Sequence, residues 1–110
     1  MNKGQLMQIF SNLFDNSLYW LKFKPAKDLR KISIKVSGKK RTIIFADNGQ
    51  GIDKTIETHL FDPFITTKPD GRGLGLYIIY DILQNYKAEI QLLNEEKILD
   101  GANFKITFPE

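Results

Sequence analysis

Two glycine clusters, Asp47-Asn-Gly49-Gln-Gly51 and Gly71-Arg-Gly73-Leu74-Gly75-Leu76, stand either side of an irregular stretch containing Phe61-Asp-Pro63-Phe64-Ile-Thr-Thr67-Lys68. The first cluster follows the apolar run Ile43-Ile44-Phe45-Ala46. It therefore puts a carboxylate at a strand end, beside backbone with no side chains to obstruct a flat ligand. Asp47 at that position can accept a hydrogen bond from an exocyclic amine. The second cluster opens a segment of helical periodicity, so its glycines expose amide hydrogens at a helix N-terminus, where the dipole favours anions. Together they predict a nucleotide site in an α/β chain.

Two familiar glycine motifs are excluded. A dinucleotide fingerprint needs a third glycine three residues after the second, and Lys54 and Ile78 occupy those places. Neither cluster ends in Gly-Lys-Ser/Thr, so there is no P-loop.

Upstream, residues 3–21 read as a helix, with Leu6, Ile9, Phe10, Leu13, Ser17 and Leu21 on a buried face. Gln5, Asn12, Asn16 and Tyr19 fall along its flank. Asn12 and Asn16 are one turn apart, and their neutral amide oxygens suit a hard cation that bridges phosphates. Asparagine is a poor helix former, so two of them in mid-helix suggest a use.

After this helix, residues 32–36 alternate as a half-buried strand, Ser37-Gly38-Lys39-Lys40 turns, and residues 42–46 return. A helical turn near residues 53–60 leads into the irregular segment, which Pro63, Pro69 and Gly71 keep from regular structure. The helix over residues 74–86 buries Ile78, Ile79, Ile82, Leu83 and Tyr86. Residues 89–93 and 103–108 form a closing hairpin with Phe104, Ile106 and Phe108 on one face. Four strands with helices on one face make a two-layer α/β sandwich.

The 110 residues and 42% hydrophobic content suit one domain with a modest core. No apolar run approaches the ~20 residues that span a bilayer. Without cysteine there are no disulfides or thiolate metal sites.

The series Asn12-Leu-Phe-Asp-Asn16, Asp47-x-Gly49-x-Gly51, Phe61-x-Pro-Phe64-x-Thr-Thr67-Lys68 and Gly71-x-Gly73-x-Gly75-Leu76 resembles the N, G1, F and G2 boxes of the GHKL (Bergerat) ATP-binding fold. It is most similar to the catalytic ATP-binding domain of bacterial sensor histidine kinases, over nearly the whole chain. The resemblance implies a mixed, mostly antiparallel sheet. Among the ATP-binding residues it implies, Asn16 is a magnesium ligand and Asn12 lines the same metal and phosphate site. Asp47 binds adenine, while Gly49 and Gly51 let backbone approach the base. Phe61, Phe64, Thr67 and Lys68 belong to a lid over about residues 53–73. Gly71, Gly73 and Gly75 hold the phosphates, Leu74 and Leu76 belong to the same ATP-binding segment, and Thr67, Lys68 and Arg72 are the candidates to reach the outer oxygens.

The resemblance further implies ATP as substrate, Mg2+ as its companion ion and a cytoplasmic setting. The implied partners are a histidine-bearing dimerisation domain of the same protein and a response regulator downstream. In the hydrolytic branches a glutamate holds the place of Asn12, and an amide cannot take a proton from water, so transfer to an acceptor is expected over hydrolysis. The alternatives within the same superfamily are a switch ATPase, a serine-type protein kinase and a non-catalytic nucleotide-binding module. Where many histidine kinases have a basic residue, this chain has Tyr19, and Lys22 is the next cation along the helix.

His59, the sole histidine, is followed by Leu60 rather than an acidic residue and lacks the acceptor context. It is read as a half-buried or surface residue, so self-phosphorylation of this chain is not expected. Compared with the family, a helix and two strands are missing before the metal-binding helix, and the chain reads as a fragment of a larger kinase. Such a four-stranded remnant should expose a sheet edge and an apolar helix flank. The net charge of +3 conceals a basic stretch over residues 22–41. With Phe23 its sole aromatic residue and no recognition motif, it reads as a solvated surface, so nucleic acid is not an expected partner.

Overall fold

The computed structural model describes residues 1–63 and 74–110. Helix α1 spans Lys3–Leu21 and starts in a capping box: Asn2 Oδ1 accepts from the Gln5 amide at 2.8 Å, and Gln5 Oε1 accepts from the Asn2 amide at 3.2 Å. Two helix-terminal donors are thereby satisfied reciprocally. Strands β1 (Ile32–Ser37) and β2 (Thr42–Asp47) form a hairpin whose turn ends at Arg41, with φ of 56°. A 3-10 turn, Glu57–His59, precedes residue 64. Helix α2 spans Gly75–Asn85, and β3 (Glu89–Leu92) and β4 (Asn103–Thr107) close the fold.

The sheet order is β1-β2-β4-β3, and all three pairings are antiparallel. The mixed character expected of the sheet is therefore absent among the described residues, since no crossover there joins parallel neighbours. Directly opposed residues share a face. Register thus aligns Ile34, Phe45, Phe104 and Leu92 in one row and Val36, Ile43, Ile106 and Ile90 in the next. Phe45, Phe104, Ile106 and Ile90 are buried, in one core with Ile9 and Leu13 of α1 and Ile79, Ile82 and Leu83 of α2. Each fully buried Ile, Leu or Phe contributes about 1.5–3 kcal/mol through removal from water. Asp47 lies two residues beyond Phe45 on β2, so alternation turns its side chain to the helix side.

Among the described residues, two helices do not cover four strands. Packing of α2 on β3 and of α1 on β2 leaves Ile34 and Val36 of edge strand β1 exposed. Leu6, Met7, Phe14 and Leu18 on the flank of α1 are exposed as well. This corrects the reading of Leu6 as buried and of Phe10 as fully so: Phe10 is half-buried, tilted 6.5 Å from Phe45. The helical period fixes a face, but its depth depends on what lies above it.

Candidate nucleotide site

Asp47 is buried, and its backbone continues the β2–β4 pairing: its amide donates to Ala102 O at 3.0 Å, and its carbonyl accepts from the Gly101 amide at 2.9 Å. Three donors converge on the carboxylate. Gly49 N–H donates to Oδ1 at 2.9 Å, Ala102 N–H to the same oxygen at 3.4 Å, and Ser17 Oγ to Oδ2 at 2.8 Å. A buried acid so supplied is preorganised as an acceptor and retains unused lone pairs.

The close approach at this point is built from glycine. A Cβ on Gly101 would lie 2.4 Å from Asp47 Oδ1 and 2.6 Å from both Asp47 O and Gly49 N. On Gly49 it would meet Asp47 Oδ1 at 3.0 Å and Trp20 Cβ at 3.5 Å. Gly51 adopts φ of 82°, in the left-handed region that side chains disfavour. Gly101 is held in turn by Asn103. That fully buried amide accepts from Ile98 N–H and Leu99 N–H and donates to Leu99 O and Gly101 O.

Helix α1 joins this carboxylate to the second glycine cluster. Asn12 Nδ2 donates to Gly75 O at 3.3 Å, at the first residue of α2. Asn12 and Ser17 are five residues apart, about 7.5 Å along the axis. The flank between them carries Asn16, half-buried, whose side chain makes no hydrogen bond among the described residues. Leu74, Gly75 and Leu76 sit where α2 begins, Leu76 packed on the core. Phe61 is half-buried, stacked 5.9 Å from Tyr80 and edge-on to Phe104 at 6.3 Å. Phe64, Thr67, Lys68, Gly71, Arg72 and Gly73, with the remainder of residues 64–73, lie outside the described residues.

Ser17, Gly101 and Asn103 did not emerge from the sequence as site residues. Ser17 reads only as part of a buried helix face, and Gly101 and Asn103 stand in no motif. Trp20 was also missed. With Phe23, Lys24, Pro25, Gly49 and Gln50 it lines a cleft of about 180 Å³ beside the first glycine cluster. Its ring lies 4.8 Å from that of Tyr19, and Lys22 Nζ sits 4.3 Å above Tyr19, bringing a cation to that position. His59 is exposed and pairs with Asp62 at 3.1 Å, apart from the site.

Among the described residues no three His, Cys, Asp or Glu side chains cluster as a metal site. The oxygen of Asn16 is a hard neutral donor, which fits a cation that takes its remaining ligands from phosphate and water. Among the described residues no helix is long and apolar enough to cross a membrane.

The family described as histidine kinase-, DNA gyrase B- and HSP90-like ATPase matches residues 1–110. The chain is 30% identical over 110 residues to the sensor protein TdiS of Thauera aromatica, covering 97% of this chain and 20% of that protein. It is 32% identical over 120 residues to the sensory histidine kinase/phosphatase NtrB of Rhizobium leguminosarum bv. phaseoli, covering 97% of this chain and 30% of that one. It thus spans less than a third of either relative. In fold it resembles the mycobacterial sensor histidine kinase MprB, with a TM-score of 0.79 at 18% identity, over 99% of this chain and 74% of that structure.

Proposed function

The chain belongs to the histidine kinase-, DNA gyrase B- and HSP90-like ATPase family, and from that premise we propose that it is the ATP- and magnesium-binding catalytic domain of a sensor histidine kinase. Its product would be a phosphohistidine on a separate helical-hairpin domain of the same protein, from which a response regulator draws the phosphoryl group. The observation that carries this reading is the double tether of α1, through Ser17 to Asp47 and through Asn12 to Gly75. One helix thereby aligns an amine-binding carboxylate with a glycine-rich helix start, an arrangement suited to a base at one end and phosphates at the other.

In this reading Asp47 orients the adenine and excludes bases without a donor. Asn16 would be the magnesium ligand, with Asn12 beside it, and the ion would supply neutralisation of charge on the phosphates. The chain's own contribution is positioning. The amide at Asn12 cannot accept a proton from water, so the γ-phosphoryl group waits for an acceptor presented in line. The isolated chain is therefore expected to bind ATP without turning it over.

Calorimetric titration tests the site. Asp47→Asn should weaken ATP binding by about 1.5–3 kcal/mol, the range for a hydrogen bond to a charged group. Equal affinities would remove Asp47 from the base site. Labelling with γ-phosphate-labelled ATP tests the reaction: the chain alone should stay unlabelled, and adding the histidine-bearing hairpin should produce acid-labile phosphate. Hydrolysis by the chain alone at rates on the order of 1 per second, or labelling of His59, would instead make it an autonomous enzyme.

A further inference from the structure

The hydroxyl of Ser17 is buried with Asp47, at 4% and 3% exposure, and their 2.8 Å bond ties α1 to β2. The two oxygens of the carboxylate are held differently. Oδ1 takes its donors from the main chain of Gly49 and Ala102 and is fixed by the fold itself. Oδ2 takes a side-chain donor, and among the described residues that donor is Ser17 alone.

A hydroxyl has one proton and two lone pairs. With the proton on Asp47 Oδ2, Ser17 Oγ presents only lone pairs to its surroundings, and the Ser17–Asp47 pair offers acceptors and no donor. An exocyclic amine matches that pair. A carbonyl in the same place sets lone pairs against lone pairs. The hydroxyl can meet the carbonyl only by turning away from Asp47, which strips a buried carboxylate oxygen of its donor and carries the full penalty of an unsatisfied group. We propose that Ser17 is a positioning residue that locks the Asp47 carboxylate as an acceptor and so makes the site select a 6-aminopurine over a 6-oxopurine nucleotide. The inference rests on the nucleotide-site reading above and adds to it the residue that sets base selectivity.

The test is titration of the chain with ATP, inosine triphosphate and purine riboside triphosphate, the last having no substituent at C6, with thermal unfolding of each variant alongside. Ser17→Ala should weaken ATP about tenfold, the loss of one hydrogen bond to a charged partner, and leave purine riboside triphosphate within about twofold. Its preference for ATP over inosine triphosphate should shrink accordingly. Ser17→Thr, which keeps the hydroxyl, should restore the preference. In an Asp47→Asn background Ser17→Ala should cost no further ATP affinity, because the two residues act as a unit. Equal losses for all three nucleotides, or fully additive losses in the double variant, would overturn the proposal and leave Ser17 a packing residue. Should Ser17→Ala not fold, Ser17→Cys replaces the hydroxyl with a weak donor of similar size and is read by the same outcomes. A wild-type chain with no affinity for ATP fails the nucleotide-site reading itself, before any variant is made.

Discussion

Gly101 shows how tightly single atoms constrain the Asp47 end of the candidate site. A methyl group there would stand 2.4–2.6 Å from three atoms of the Asp47 turn, two of them backbone. Those atoms cannot swing aside as a side-chain tip can. Gly101→Ala is therefore expected to cost about 1–3 kcal/mol of stability, as overpacking does, and to displace the carboxylate. Urea denaturation measures the first effect, and the second should appear as an ATP affinity at least as low as that of Asp47→Asn. An unchanged affinity would mean the carboxylate is not held by this contact. At this scale the sequence was half legible. Asp47, Asn12 and Asn16 stand in short patterns whose chemistry is visible locally. Ser17, Gly101 and Asn103 matter through contacts 30 and 54 residues distant or through a loop's internal bonds, and no local spacing records such partners.

The secondary-structure elements were more legible, because each advertises a period. Strands β1 and β2 extend one residue beyond the apolar alternation, since ladder pairing continues to Ser37 and Asp47 after the hydrophobic pattern stops. Helix α1 agrees with its periodic span because its end is marked chemically, by Asn2 and Gln5. Asn2→Ala removes that cap and should lower stability by about 1 kcal/mol. Thermal unfolding followed by circular dichroism should show the decrease, with ATP affinity unchanged because the cap lies away from Asp47. A local turn closes at Asp53, whose carboxyl is held below the usual carboxylate range by the Thr55 amide and then the Thr55 hydroxyl. A depressed acid stabilises when ionised, so this turn at the start of the expected lid is supported above the ordinary value of 3.8 and loses support as pH falls below it.

Across the whole molecule the uneven coverage of the sheet dominates. Phe14 stands edge-on to Phe45 at 6.5 Å yet remains exposed, as do Val36 and Ile34 on the neighbouring edge strand. An apolar flank beside an unpaired strand edge favours association between chains. Val36→Lys combined with Phe14→Gln should reduce concentration-dependent association in sedimentation velocity, with ATP affinity within about twofold of wild type because the donors to the Asp47 carboxylate are Ser17, Gly49 and Ala102. A simultaneous loss of affinity would show that this face and the base site are coupled. The exposed edge and helix flank were expected from the sequence. The depth of each apolar residue was not, because it depends on the count of covering helices rather than on any one helix.

The donors on Asp47 come from positions 17, 49 and 102 of a 110-residue chain. The cradle around this carboxylate can therefore close only after Ala102 has been made. Until then a nascent chain carries the asparagines and the glycine clusters but has no completed carboxylate cradle. Ligand binding stabilises only what it binds, so a nucleotide held as proposed would favour molecules whose cradle has closed and give no such protection to chains arrested before Ala102.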